Sequence, residues 1–333
     1  MRILFVLVFL SSVAFGQNVH IPDANFKKCL VENAKINTNG DTEIQLSEAK
    51  SYSDTIDCSN REIEDLTGIE VFTAITSLNC ERNKLKLLDV SKNTALTNLN
   101  CNNNSQSYSR LSLDLSNNTS LIYLDCSSFS LRSLNISNNP SLIYLDCSKS
   151  SLGSLDVSNN TALITLKCDT NWLTSLDISK NTALTKLNCK RNFLTSINLS
   201  KNTALTSLNC SFNRLTSLDV SNNIALTELH CESSKFVKNM GRLNSLDVSK
   251  NTALTSLKCG GNNLTSLDVS YNIALTELYC SYNNLTSLDV SKNTDLTYLK
   301  CRNNQIRTLD ISKNTALKGL DCGYNKLTSL NVS

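Results

Sequence analysis

The stretch ALTSLNCSFNRLTSLDVSNNI, from Ala204 to Ile224, decides the fold, because most of the chain after Cys58 repeats it. It contains two overlapping spacing patterns, LxxLxCxxNxL and LxxLDVxxN, which share one leucine. The cysteine recurs at twelve positions, and nine of the eleven intervals are 21 residues while the others are 25 and 28. This cysteine column comprises Cys80, Cys101, Cys126, Cys147, Cys168, Cys189, Cys210, Cys231, Cys259, Cys280, Cys301 and Cys322. A second apolar column lies midway between the cysteines, at Val90, Leu115, Ile136, Val157, Ile178, Leu199, Val220, Val248, Val269, Val290, Ile311 and Val332.

Each repeat predicts one short strand. Side chains alternate between the two faces of a strand, so Leu208 and Cys210 should point inward while Ser207, Asn209 and Ser211 face solvent. Stacking such strands in parallel, one per coil, makes a continuous sheet. The asparagine three residues after each cysteine, such as Asn213, would lie at the following turn and hydrogen-bond turn backbone groups in its own and the neighbouring coil.

The LxxLxCxxNxL spacing at a period of 21 residues resembles the leucine-rich repeat. The two half-units resemble the nested bacterial class called IRREKO, which implies a second strand or extended segment on the opposite side of each coil. We therefore predict a β-rich solenoid over residues 58–333: a right-handed leucine-rich-repeat coil of about twelve turns with a parallel sheet. A small α-helical cap should shield its N-terminal end.

The first 57 residues break the repeat. Residues 1–16 have one arginine, an apolar run and small residues before Gln17, which predicts a secretory signal peptide too short to span a membrane. Residues 17–57 are the predicted cap. Asp23 should open a helix with Phe26, Cys29 and Leu30 on one face.

A loop in the cap resembles a degenerate EF-hand. Asn37, Asn39, Asp41, Glu43 and Glu48 fall at loop positions 1, 3, 5, 7 and 12. Asparagine replaces aspartate at position 1, and threonine replaces the glycine of position 6, which weakens a calcium site. Two interpretations stay open: a calcium ion bound by these five residues, or a plain Asn-Gly turn with no cofactor.

The cap, the LTGIE segment and the LTSLDVSKNTALTSLNC coils together resemble leucine-rich-repeat surface proteins of Bacteroidota bacteria, over residues 18–333. Many such proteins end in a sorting domain. Here the chain ends in mid-coil at Ser333, so we expect it to be a fragment or a truncated gene product.

The fourteen cysteines do not have the spacing of a disulfide framework. Column members stack with parallel Cβ vectors about 4.8 Å apart, whereas a disulfide needs converging Cβ atoms about 3.8 Å apart. We predict buried free thiols. Cys29 lies outside the column, and a bridge from it to Cys58 is the alternative. The aspartates of the LDVS segments should be solvated or bonded to Ser or Thr, because the glycine-rich turns of calcium ladders are missing.

Composition argues against several functions. The formal net charge is +3 and charged residues are 18% of the chain, which gives no electrostatic case for nucleic-acid or membrane binding. With two histidines and no catalytic motif, we expect no enzyme activity.

The outward positions of the strands vary while the inward positions repeat. Two insertions, near 102–110 and 232–242, should form surface loops, and the second adds an aromatic residue beside the strand ELHCE. We predict a recognition site around residues 228–282, built from Glu228, His230, Glu232, Phe236, Lys258, Tyr279 and Tyr282. The predicted function is an extracellular or cell-surface scaffold for protein–protein recognition, of adhesion or signalling-adaptor type by resemblance, secreted and monomeric. A glycan is the second choice of partner, and a structural spacer or stalk is the alternative function.

Overall fold

The computed structural model describes residues 16–104, 113–237 and 240–333. The predicted signal peptide at 1–16 therefore lies, except for Gly16, outside the described residues. Residues 105–110 of the first insertion and 238–239 of the second are outside them too.

Within the described residues, 13 three-residue strands form one parallel sheet in the order β1 to β12 followed by β14. Their registers align the inward leucines, as where Leu208 of β8 pairs with Leu229 of β9. The strands of this sheet are β1 Thr55–Asp57, β2 Ser77–Asn79, β3 Asn98–Asn100, β4 Tyr123–Asp125, β5 Tyr144–Asp146, β6 Thr165–Lys167, β7 Lys186–Asn188, β8 Ser207–Asn209, β9 Glu228–His230, β10 Ser256–Lys258, β11 Glu277–Tyr279, β12 Tyr298–Lys300 and β14 Gly319–Asp321. The predicted parallel-sheet solenoid is confirmed.

The opposite half of each coil is extended, and strand pairing there is sparse. Within the described ranges, only β13 (Thr308–Asp310) and β15 (Ser329–Asn331) form a second sheet, and Asp114 bridges Asn135. Its apolar column is nevertheless buried from Val90 to Val290. The core thus runs between the cysteine column on the strand side and the valine column on the opposite side.

An asparagine ladder stabilises the turn after each strand, as predicted. The Asn171 Nδ2 donates to the carbonyls of Cys147 and Cys168, both at 3.0 Å, one in the preceding coil and one in its own. Its Oδ1 accepts from the backbone N–H groups of Ser150 and Leu152, at 3.1 and 2.9 Å. One buried side chain therefore satisfies four backbone groups that the turn would otherwise leave unpaired.

The expected exposure of Ser211 is wrong. Its side chain is buried, and its Oγ accepts a hydrogen bond of 3.2 Å from the backbone N–H of Glu232 in the next coil. The second insertion returns directly over this place, where Gly241 donates to the carbonyl of Asn213. An insertion that folds back changes the exposure of a neighbouring coil, which strand alternation cannot anticipate.

The cap contains helices α1, Ala24–Val31, and α2, Leu46–Ser51, and a 3-10 turn follows at Ile69–Val71. Asp23 caps α1 by accepting from the N–H groups of Asn25 and Phe26, at 2.9 and 3.0 Å. Phe26, Cys29 and Leu30 are buried on one face of α1, as predicted.

The cysteines divide into two groups. Cys29 forms a disulfide with Cys58, so the bridge weighed as an alternative is correct. The twelve column cysteines from Cys80 to Cys322 are free thiols, and eleven of them are buried. Burial raises the pKa of Cys80, Cys210 and Cys259 to about 12, which suppresses the reactive thiolate.

Candidate recognition surface

One outward position of each coil distinguishes the two sides of the solenoid. We define the Asx position as the residue just before the cysteine or the valine of a column. An aspartate or asparagine there accepts, through Oδ1, the backbone N–H two residues later and so forms an Asx turn. Asp268 and Ser270 form such a turn on the opposite side, at 2.9 Å.

On the opposite side, all twelve coils keep this turn. The acceptors are Asp89, Asp114, Asn135, Asp156, Asp177, Asn198, Asp219, Asp247, Asp268, Asp289, Asp310 and Asn331. The hydrogen bond from the serine N–H lowers the pKa of these aspartates, as at Asp268. The repeated aspartates therefore have a local structural role, in agreement with the predicted bonding.

On the strand side, only some coils keep the turn. Seven Asx positions retain it: Asn79, Asn100, Asp125, Asp146, Asn188, Asn209 and Asp321. Lysine, histidine or tyrosine replaces the acceptor in five coils, at Lys167, His230, Lys258, Tyr279 and Lys300. The last four are consecutive, and they are aligned in register across β9 to β12.

This row of four carries charge around an aromatic ring. The Nζ atoms of Lys258 and Lys300 lie 5.0 and 4.4 Å from the ring centroid of Tyr279. Glu277 lies 3.5 Å from Lys258 Nζ and pairs with it. Burial, followed by the positive charge of Lys258, lowers the pKa of His230. The row therefore presents two ammonium groups, a phenol and a neutral imidazole near pH 7.

The second insertion closes one end of this row and forms a pocket. Lys235 Nζ donates to the carbonyl of Asn283 and to Oδ1 of Asn284, both at 3.1 Å, and this ties the insertion to a later coil. Phe236, which is 81% exposed, packs edge-on against Tyr282 with ring centroids 5.6 Å apart. The pocket has a volume of about 280 Å³ and is lined by Glu232, Ser233, Ser234, Lys235, Phe236, Gly260, Gly261, Tyr279, Ser281, Tyr282 and Lys300.

Two glycines make room for this pocket. Gly261 has a φ of +74°, and a Cβ there would lie 2.1 Å from the carbonyl oxygen of Ser233 in the insertion. At Gly260 a Cβ would lie 3.0 Å from the carbonyl oxygen of Ser281. The equivalent of Gly261 in other coils is a side-chain-bearing residue such as Phe212 or Tyr282. The glycine pair thus admits the insertion, and the floor of the pocket has no side chains.

The seven predicted site residues lie on one continuous surface. Glu232, Phe236, Tyr279 and Tyr282 line the pocket, and the other three, Glu228, His230 and Lys258, lie beside it on β9 and β10. Sequence reasoning missed Lys300 and the glycine pair. Gly260–Gly261 is the one Gly-Gly pair of the chain and follows directly in the coil after the insertion, a signal that could have revealed the pocket.

A second aromatic pair on the sheet is closed rather than open. The rings of Tyr123 and Tyr144 stack with centroids 4.5 Å apart and an interplanar angle of 8°. Lys167 donates to the Tyr144 hydroxyl at 2.8 Å and lies 3.5 Å from Asp146. Here the polar and aromatic groups satisfy one another, so this pair is a weaker candidate for recognition.

The five residues of the predicted calcium loop do lie together, and their carboxylates accept protein hydrogen bonds. Glu48 is buried and accepts from the N–H groups of Thr38, Asn39 and Gln45 and from the Thr38 hydroxyl, at 2.7 to 3.2 Å. Asp41 accepts from Glu43 N–H at 2.7 Å, and Glu43 pairs with Lys27. Asn37 Nδ2 donates to the carbonyl of Asp41 and Asn39 Nδ2 to its carboxylate, at 2.8 and 2.9 Å. Calcium binding by this loop stays a prediction.

Across the described ranges, no group of three or more His, Cys, Asp or Glu side chains is arranged to hold a metal ion. In the same part of the chain, no helix is long and apolar enough to cross a bilayer.

Comparisons with known proteins agree with this architecture. The leucine-rich-repeat domain of the endo-beta-N-acetylglucosaminidase EndoS matches residues 21–160, and a two-copy leucine-rich-repeat profile matches 273–314. No curated protein sequence matches the chain.

Solved structures give stronger matches. The functional domain of InlJ from Listeria monocytogenes, which includes a cysteine ladder, is 35% identical with a TM-score of 0.80, over 94% of this chain and 72% of that one. An internalin, InlF, from the same species is 18% identical with a TM-score of 0.71, over 96% and 92% of the two chains. A leucine-rich-repeat protein of Leptospira interrogans is 22% identical with a TM-score of 0.64, over 82% and 78%. These last two show the fold alone. The identity and coverage of the InlJ match, together with the twelve coils in phase, show that this chain belongs to the leucine-rich-repeat family.

Proposed function

We propose that this chain is a non-catalytic recognition module that binds a partner protein through the strand-side surface from Glu228 to Lys300. One observation supports it above the others: four consecutive coils give up the Asx turn that all twelve coils keep on the opposite side. Each loses a side chain–backbone hydrogen bond worth about 1 kcal/mol. Lysine, histidine and tyrosine in place of that acceptor are better explained by binding than by folding.

The pocket strengthens this proposal. Hot spots of protein interfaces are enriched in aromatic residues that fill or flank pockets. Phe236, Tyr279 and Tyr282 surround a concavity of about 280 Å³, which is large enough to accept a side chain of a partner. A glycan is the second choice of partner. The interaction would serve adhesion or a signalling adaptor, and the protein would act as a monomer.

We further propose that the chain acts outside the cell or at its surface. Residues 1–16 have the composition of a signal peptide. The Cys29–Cys58 disulfide supports an oxidising compartment, where such bonds persist. The buried thiols of the cysteine column are compatible with that compartment, because burial protects them from oxidation.

The test is a comparative pull-down with three baits: the wild type, the double variant Phe236→Ala with Tyr282→Ala, and the opposite-side variant Asp268→Asn. Quantitative mass spectrometry should find proteins retained by the wild type and by Asp268→Asn but lost from the double variant. Identical capture by all three baits would contradict the proposed surface and favour the structural-spacer function.

A further inference from the structure

A second surface lies outside the pocket, on the ridge where the chain leaves the strands in three successive coils. We call it the basic–aromatic ridge; it comprises Trp172, Lys190, Arg191, Phe193, Phe212 and Arg214. Trp172, Phe193 and Arg214 hold the same place in successive coils, since the N–H of each donates at 2.8 Å to the leucine carbonyl of the coil before. Their side chains therefore stack about 4.8 Å apart along the solenoid.

The cations of the ridge rest on its rings. The guanidinium carbon of Arg214 lies 4.7 Å from the Phe193 centroid. Phe212 has Lys190 Nζ at 5.4 Å and the Arg191 guanidinium at 5.8 Å from its ring. These contacts hold the charged groups in place while their N–H donors stay available. Arg191 and Arg214 are exposed, and so is Trp172.

None of the three ridge cations forms a salt bridge with a carboxylate among the described residues. The first coils differ. Lys84 holds the position equivalent to Trp172 and pairs with Glu62 at 3.4 Å, and Arg61 pairs with Glu32 at 2.7 Å. Cations near the cap are thus neutralised within the protein, whereas those of the ridge are left for an external anion.

We propose that the basic–aromatic ridge binds an acidic segment of a partner protein. Arginine forks bind carboxylates with two parallel hydrogen bonds, and no internal salt bridge must be broken first. Arginine and tryptophan are also the residues most enriched in interface hot spots. A single-stranded nucleic acid fits less well, because its bases need free ring faces and cations already cover Phe193 and Phe212. This inference rests on the proposed function in one respect only, that the partner is a protein.

The test uses fluorescence anisotropy at low ionic strength with a short synthetic polyglutamate peptide, with heparin and with a single-stranded oligonucleotide as competing classes of polyanion. The ridge variant is Arg191→Glu with Arg214→Glu. The matched control is Lys180→Glu with Lys201→Glu, which reverses two exposed cations of the same coils away from the ridge and changes the net charge equally. We expect the ridge variant to weaken polyglutamate binding by about tenfold or more and the control to change it by less than about twofold.

Three outcomes would overturn the proposal: no polyglutamate binding by the wild type, equal loss in both double variants, or ridge-dependent binding only of heparin or the oligonucleotide. Melting curves of all variants, and the neutral pair Arg191→Gln with Arg214→Gln, separate a lost site from a lost fold. The pocket variant Phe236→Ala with Tyr282→Ala should still bind polyglutamate. Failure of the ridge is thereby distinguished from failure of the pocket.

Discussion

The strand side and the opposite side of each coil solve the same problem with different completeness. Both carry a buried asparagine ladder. On the strand side, Asn171 uses its amide nitrogen and its oxygen, whereas on the opposite side the Nδ2 of Asn181 donates to the carbonyls of Val157 and Asn160 at 2.9 and 2.8 Å. The Oδ1 of Asn181 has no donor among the described residues. Inward residues thus meet more of the hydrogen-bonding demand on the strand side.

This difference explains where sequence variation is tolerated. The strand side also has a continuous sheet ladder, so its outward positions can give up the Asx turn in four consecutive coils. The opposite side has few strand pairs and keeps that turn in every coil. Backbone satisfaction by inward groups is therefore what frees one face of a solenoid for recognition.

The largest effect should come from truncating the two ladders. Asn171→Ala leaves four backbone groups unpaired and should lower the free energy of unfolding by about 4 kcal/mol, whereas Asn181→Ala leaves two and should cost about 2 kcal/mol. Urea titrations followed by circular dichroism measure both. A larger loss for Asn181→Ala would reverse the comparison between the sides.

Binding should depend on the strand side alone. Once a partner is identified, Tyr279→Ala and Phe236→Ala should each weaken it by about 2 kcal/mol, roughly thirtyfold, with little change in melting temperature. Asp268→Asn should be nearly silent in the same calorimetric titration. Sensitivity at Asp268 without sensitivity at Tyr279 would place the functional surface on the wrong side.

The cap provides a third arrangement, in which one carboxylate satisfies a loop. Glu48→Gln should lower cap stability by about 2 kcal/mol without any added ion, because the charge-assisted bonds from three N–H groups and a hydroxyl weaken. Millimolar calcium should leave the wild-type melting temperature unchanged. A calcium-dependent rise that Glu48→Gln abolishes would instead support the EF-hand interpretation.

The two sides should also respond to acid in different pH ranges. The pKa of His230 is lowered in the folded protein, so its contribution to stability is complete above the unfolded value of about 6.5 and declines as the pH falls below it. The pKa values of the opposite-side aspartates, such as Asp268, are also lowered, and their contribution is lost only as the pH falls below about 4. Unfolding midpoints measured against pH should show both declines. His230→Asn should remove the first, and Asp268→Asn should reduce only the second.

The smallest effect should come from restoring an Asx turn on the strand side. Lys300→Asn reintroduces an acceptor for the N–H two residues later and should raise stability by about 0.5 kcal/mol, after loss of the contact with Tyr279. The same variant should weaken partner binding. A destabilised Lys300→Asn protein would indicate that lysine was selected there for folding.

Several features follow from local periodicity, and these could be predicted. In-phase cysteines and valines define the coil, alternation places Leu208 inward, and Asp23 marks the start of α1. The ladder role of Asn171 follows from its place at a turn that every coil repeats. These predictions succeed because each depends on neighbours within one coil or on an identical coil stacked beside it.

The tertiary structure alone decided the features that join non-equivalent parts of the chain. Cys58 belongs to the column by spacing, yet it pairs with Cys29, which α1 presents with a Cα–Cα distance of 5.8 Å. The pocket requires Lys235 to reach Asn283, and the insertion to pass over Gly261 where a side chain would collide. A repeat pattern specifies what each coil does to its copy. It says nothing of how an irregular segment folds back, because that conformation depends on contacts between residues that share no period.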